Sequence, residues 1–152
     1  MPFAAFIARR FEATNRRIAP AVADRILAIT GGHPYATQEL CYFLWEATPA
    51  RRAATPERLD TALRGVLRSE HTHFSLLWDR ASANQKLLLQ ALAREEGHPL
   101  SEAYRRRHGL RTVSSTQKAL ETIGRDETVG RDRGRARIAE PFLAEWIREN
   151  AG

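Results

Sequence analysis

The sequence predicts a mainly α-helical protein in two parts, a small helical bundle followed by a unit of short helices closed by a β-hairpin. Apolar residues recur at helical spacing over most of the 152 residues, and start and stop signals cut that pattern into segments. One short basic stretch near the C-terminus reads as two strands around a glycine turn instead. With 43% hydrophobic and 28% charged residues, the chain suits a globular fold and neither a disordered nor a fibrous one. The lone Cys41 excludes an internal disulfide and, set in an apolar run, points to a reducing, cytoplasmic home. No apolar stretch approaches the ~20 residues of a membrane-spanning helix, and the first residues lack a secretory signal pattern, so no membrane partner is expected.

Phe3, Phe6, Ile7, Arg10 and Phe11 place one amphipathic helix between Pro2 and about Ile18. Pro20 suits a first helical turn, and Val22, Ile26, Leu27 and Ile29 carry a second helix that Gly31 and Gly32 end. His33-Pro34 restarts the chain into a third helix, where Tyr35, Leu40, Cys41, Phe43, Leu44 and Trp45 predict a central element apolar nearly all round. Thr48 to Ala54 reads as a polar connection. Thr55-Pro56-Glu57 supplies an N-cap, a first-turn proline and an acid at the positive end of a fourth helix. That helix carries Leu59, Leu63, Val66 and Leu67 and leads into the apolar run Phe74, Leu76, Leu77 and Trp78. Ser82 to Gln85 has the spacing of a capping box. The pattern changes there, which sets a domain boundary near Ala81 and divides the chain into residues 1–81 and 82–152.

Leu87, Leu88, Ala91 and Leu92 form the first helix of the second part, which Gly97 to Pro99 ends. Ser101 caps a short helix bearing Tyr104 and Arg105-Arg106-Arg107, and His108-Gly109 supplies a left-handed stop. Ser114 to Gln117 opens another capping-box helix, with Val113, Leu120 and Ile123 inward and Ser115, Lys118, Glu121 and Thr122 outward. Glu127 to Gly130 and Arg135 to Ala139 read as two strands joined by a basic tip. Pro141 starts a last helix with Phe142, Leu143, Trp146 and Ile147. Helix, short helix, helix, hairpin and closing helix is the order of a winged helix-turn-helix.

The net charge of +6 and an isoelectric point near 10.4 invite an acidic partner such as nucleic acid. Residues 105–137 hold ten Lys or Arg against four acids, so this one window carries the whole basic excess. In a DNA-reading winged helix, the start of the second motif helix enters the major groove and wing arginines reach phosphates or the minor groove. Arg111, Ser114, Ser115, Lys118, Arg131, Arg133 and Arg135 stand where those roles are filled, while Glu121 on the same face opposes phosphate approach. An arginine-rich composition also gives a basic surface with no such role, and many winged helices bind protein instead. His71 and His73, two apart on a helix, point to different faces, so no metal site is expected. Nothing marks a nucleophile with its general base, so the chain is not expected to be an enzyme. Trp45, Trp78 and Trp146 read as core residues, and the pairs Arg16-Arg17 and Arg51-Arg52 as solvated loop positions or contacts to a nucleotide or a subunit.

The run Thr30-Gly31-Gly32-His33-Pro34-Tyr35, with Gln38-Glu39-Leu40 and Leu44-Trp45, resembles the lid region of prokaryotic AAA-type and STAND-type ATPases. Phe74 to Asp79, Gln85 to Leu92, Tyr104 with His108-Gly109-Leu110, Ser114-Ser115, and Pro141 with Trp146 resemble the winged helix that ends the same group. The resemblance covers almost the whole chain through the order of short motifs. It implies a non-catalytic C-terminal module in which a nucleotide-dependent lid couples ATP state to DNA or partner binding by the winged helix. It also implies an ATPase core as partner, in cis or in trans. Gly32, His33 and Pro34 match the lid element that faces the nucleotide. ATP with Mg would belong to the intact parent, because this chain has no phosphate loop and its only lysines, Lys86 and Lys118, lie outside such a context. The family often has an aspartate where Glu140 stands, and a β-branched residue is usual where Thr116 stands. The competing readings are a protein-interaction or oligomerisation module that touches no nucleic acid, and a stand-alone winged-helix transcription regulator.

Overall fold

The computed structural model describes residues 2–151. They form α1 (Pro2–Glu12), β1 (Arg17–Ile18), α2 (Pro20–Thr30), α3 (Pro34–Glu46), β2 (Ala53–Ala54), α4 (Pro56–Arg80), α5 (Ala83–Arg94), α6 (Glu102–His108), α7 (Val113–Arg125), β3 (Val129–Asp132), β4 (Arg135–Ile138) and α8 (Pro141–Asn150). The fold is mainly helical with one hairpin, as the sequence predicts. Two compact units divide between Glu70 and His71, inside α4. The composition changes near Ala81, where α4 ends. Packing nevertheless groups residues 71–80 with the downstream helices, because Phe74 and Trp78 lie against Trp146 of α8 with ring centroids 6.2 and 6.5 Å apart.

The first unit packs α1, α2, α3 and the start of α4 around Ile7, Phe11, Val22, Ile26, Leu40, Leu44, Leu59 and Val66. The single helix expected over Pro2 to Ile18 is shorter. It stops at Glu12, where the Thr14 and Arg16 amides both donate to the Phe11 carbonyl and Asn15 turns left-handed. Arg17-Ile18 then pairs in parallel with Ala53-Ala54, so the expected polar connection contains a strand. The third helix is not apolar all round. Its buried residues Ala36, Thr37, Leu40 and Leu44 form one stripe, and Tyr35 and Tyr42 are 74% and 58% exposed. A tyrosine ring tolerates such a position because its polar end stays wet. Between α1 and α3 lies an apolar groove of about 600 Å³, lined by Phe3, Phe6, Phe11, Cys41, Tyr42 and Trp45 among others. Trp45 is half-buried rather than core, and its indole N–H donates to Thr14 Oγ1 at 2.8 Å.

In the second unit α5, α7 and α8 enclose Leu88, Leu92, Leu120, Ile123, Phe142, Trp146 and Ile147. Burying each such side chain contributes roughly 1.5–3 kcal/mol. The caps predicted at Ser82, Ser101 and Gly109 form as read. Ser82 and Gln85 complete a reciprocal capping box, the Ser101 hydroxyl accepts from the Tyr104 amide, and Gly109 ends α6 at φ +65°. Helix α7 starts two residues earlier than the expected Ser114 box, because the Thr112 hydroxyl accepts from the Ser115 amide. Val113, expected inward, is therefore a first-turn residue at the edge of the core and is 43% exposed. Gly97 does more than follow a helix end. It exchanges both backbone hydrogen bonds with Ala136, at 3.2 and 2.6 Å, and so adds a single antiparallel bridge on the edge of β4 away from β3.

Candidate nucleic-acid interface

Helix α6, the turn at Gly109 and helix α7 form the helix-turn-helix, and a cluster on Glu95 fixes it. Tyr104 is 1% exposed, and its hydroxyl donates to the Glu95 carbonyl at 2.6 Å. The Glu95 carboxylate accepts from Arg107 at 2.8 Å and meets His108 Nε2 at 2.7 Å, while the His108 ring lies 4.4 Å from that of Tyr104. Hydrogen bonds from His108 and then Arg107 hold the Glu95 carboxyl below its ordinary value. Burial, followed by the Glu95 charge, raises the Tyr104 hydroxyl. Arg106 is spent locally on Glu102. These α6 cations are therefore largely neutralised.

Helix α7 buries Thr116, Ala119, Leu120 and Ile123, so its outer face carries Ser114, Gln117, Lys118, Glu121 and Arg125, all exposed. Ser114 and Lys118 stand on that face, and Arg111 is exposed in the turn before it. Ser115 is half-buried. Its hydroxyl lies 3.0 Å from Thr112 Oγ1 and donates to the Thr112 carbonyl at 3.2 Å, so its polar atom serves the N-terminal cap. From the sequence, Gln117 has the closing place in a Ser114 capping box and no role at an interface. Counting three residues on from Ser114 also places it on the outer face, and its amide lies 3.5 Å from the Glu121 carboxylate.

The wing is a two-residue hairpin in which Asp132 faces Arg135 and Val129 faces Ile138. Both turn residues are left-handed, Arg133 at φ +52° and Gly134 at φ +82°, as a type I′ turn requires. Ala136 and Ile138 point into the core, whereas Arg135 and Arg137 alternate outward. Arg131 and Arg133 are exposed at the tip, and Arg135 is tied to Glu96 at 3.3 Å. Arg137 was missed although the period of two from Arg135 marks it. Its side chain crosses the bare Gly130 opposite. Among the described residues, Arg111, Lys118, Arg125, Arg131, Arg133 and Arg137 have no ion-pair partner.

The corner at Gly32, His33 and Pro34 belongs to the first unit. Gly31 and Gly32 are left-handed at φ +63° and +73°, with open space where a Cβ would project. His33 Nδ1 accepts from the Ala36 amide at 3.3 Å, and Pro34 is the first residue of α3. Beneath the corner, the buried hydroxyls of Thr30 and Thr37 bond to each other at 2.8 Å and tie the end of α2 to the start of α3. No group of three potential metal ligands occurs among the described residues. His71 instead accepts from the Trp146 indole N–H at 3.0 Å. No described helix is long and apolar enough to cross a membrane.

Residues 72–149, just over half of the chain, match the model of a family described as a probable winged helix domain. No curated protein matches the chain. No solved structure matches it either.

Proposed function

The chain belongs to this winged helix family, and we propose that its second unit binds double-stranded DNA through the wing and the outer face of α7. The carrying observation is the distribution of unpaired cations. Arg106 and Arg107 on α6 and Arg135 beside the wing turn are matched by Glu102, Glu95 and Glu96, and the Arg105 Nε donates to the Leu100 carbonyl. Those on the wing at Arg131, Arg133 and Arg137 are left for an external anion, along with Arg111 before α7 and Lys118 on its outer face. The outer face of α7 carries Glu121, which opposes phosphate, so the wing leads and α7 follows. Gln117 is the side chain on that face best suited to a base edge, since a glutamine amide pairs bidentately with adenine.

The test is anisotropy of a labelled duplex titrated with the full chain across a salt series. Arg131→Glu, Arg133→Glu and Arg137→Glu are combined, and Arg135 is kept because its reversal would repel Glu96. Removing one cation from a phosphate lowers the salt slope by about 0.9, so the triple variant is expected to bind with a slope smaller by up to about three units. Equal binding by variant and wild type would overturn the reading and favour a protein-docking role for the winged helix.

We further propose that the first unit acts as the lid of an ATPase, with the chain as a non-catalytic module coupling nucleotide state to the winged helix. The support is the corner at Gly31 to Pro34, where left-handed glycines and open space admit a close neighbour. Pro34 has no N–H and the Ala36 amide is already taken, which leaves the Tyr35 amide of the first turn, so the corner offers room more than phosphate donors. It fits the edge of a nucleotide site completed by another domain, and ATP with its Mg ion would be held there. An in-frame glycine-rich phosphate loop in the coding sequence ahead of Met1 is the expected finding. A different kind of domain there would overturn the lid assignment.

A further inference from the structure

The sequence holds two arginine pairs that the winged helix leaves unused, Arg16-Arg17 and Arg51-Arg52, and the fold of the first unit joins them. Strands β1 and β2 run parallel with Arg17 opposite Ala53. The Arg17 amide donates to the Arg52 carbonyl at 3.2 Å, and the Arg51 amide to the Asn15 carbonyl at 2.8 Å. Neighbouring strands lie about 4.8 Å apart, so the two segments share one stretch of surface. Arg17, Arg51 and Arg52 are exposed, and among the described residues none of the three makes an ion pair. Arg16 supports them from beneath. Its Nε donates to the Thr48 carbonyl at 2.6 Å, and its guanidinium sits 4.3 Å from the Trp45 ring centroid.

Local stability does not account for this arrangement. Like charges brought together without an acid repel, and Arg51 occupies a left-handed conformation at φ +68° that favours glycine or asparagine. An external anion would offset the repulsion. The guanidinium fork matches phosphate oxygens in pairs, and a cluster that is nearly all arginine positions a nucleic acid without reading its bases.

We propose that this cluster is a second nucleic-acid surface, in the first unit, that takes the phosphodiester backbone independently of sequence. The proposal rests on the reading that this chain binds DNA, but on residues that the winged helix does not use. The experiment compares four full-length chains by duplex anisotropy across a salt series. They are the wild type, a first-unit variant (Arg17→Gln, Arg51→Asn, Arg52→Gln), the wing variant above, and the two combined. Arg16 is left in place because it holds the backbone, and asparagine at 51 suits the left-handed conformation.

The first-unit variant is expected to show a salt slope smaller by up to about three units while keeping the wild-type circular dichroism, and a chain with Arg17→Lys and Arg52→Lys and with Arg51 retained should keep the wild-type slope. The wing variant should keep a salt-sensitive residue of binding that the combined variant lacks. Weakened binding in the wing variant alone overturns this proposal and leaves the winged-helix reading standing. Weakened binding in the first-unit variant alone does the reverse. Absence of duplex binding by the wild type at low salt overturns both. Binding to phosphatidylserine vesicles that the first-unit variant abolishes, with duplex binding unchanged, overturns the proposal in favour of a membrane surface.

Discussion

Replacing Gly97 by alanine tests whether the wing is held by a backbone approach that only glycine permits. A Cβ at position 97 would stand 3.0 Å from Tyr104 Cε2 and 3.1 Å from Cδ2. The ring has little freedom to yield, because its hydroxyl is bonded to the Glu95 carbonyl and its face is against His108. Position 97 cannot retreat either without stretching its two bonds to Ala136. Overpacking of this kind costs about 1–3 kcal/mol. At roughly 4–8 °C per kcal/mol for a unit of this size, the second unit should unfold about 5–20 °C lower. Gly124→Ala is the matched control. Gly124 lies within α7 with nothing near its missing Cβ, so alanine should stabilise by about 0.5–1 kcal/mol. Thermal circular dichroism of both variants gives the stabilities, and hydrogen exchange at the Ala136 amide reports the bridge itself. A Gly97→Ala chain with wild-type melting and unchanged Ala136 exchange would refute the reasoning.

Three further outcomes are expected. Because His108 and Arg107 hold the Glu95 carboxyl below its ordinary 4.5, its contribution is present above that pH and fades as pH falls through the lowered value. Glu95→Gln should therefore melt below wild type near neutrality and converge with it in acid, and parallel pH profiles would contradict this. Arg51→Asn should raise the stability of the first unit by up to about 1 kcal/mol by relieving the left-handed arginine, measured by urea titration. A clear decrease would show that the arginine side chain supports the fold. Burial pushes the Cys41 thiol up to about 11, so iodoacetamide should label it slowly at pH 8 and much faster above pH 10. Rapid labelling at pH 8 would mean that the groove wall opens.

Features governed by neighbouring residues were legible in the sequence. The caps at Ser82, Ser101 and Gly109 depend on a few adjacent backbone groups, and each forms where the sequence places it. The misplaced start of α7 has a similarly local cause, since Thr112, Ser114 and Ser115 are all competent caps and only the buried Leu120 and Ile123 fix the phase. Taking Val113 as inward rotated the helix and hid Gln117. Pairings distant in sequence left no local trace. Strands β1 and β2 are too short to show alternation. Gly97 reads as punctuation until Ala136 arrives, and nothing near Arg135 announces Glu96. The hydroxyl pair of Thr30 and Thr37 bridges a corner that is itself readable, yet two threonines seven apart carry no signal of their hydrogen bond.

The two-residue tip of the wing restricts how this protein can vary. In an antiparallel pair the side chains alternate with a period of two, so a slip by one residue exchanges inner and outer faces. An odd insertion beyond Arg133 that the strands absorbed would turn Arg135 and Arg137 inward and expel Ala136 and Ile138 to water. An insertion of two would preserve the alternation and lengthen the wing. Lineages that change the reach of this hairpin should therefore do so in even steps, and a hairpin altered by one residue should retain its faces only by bulging.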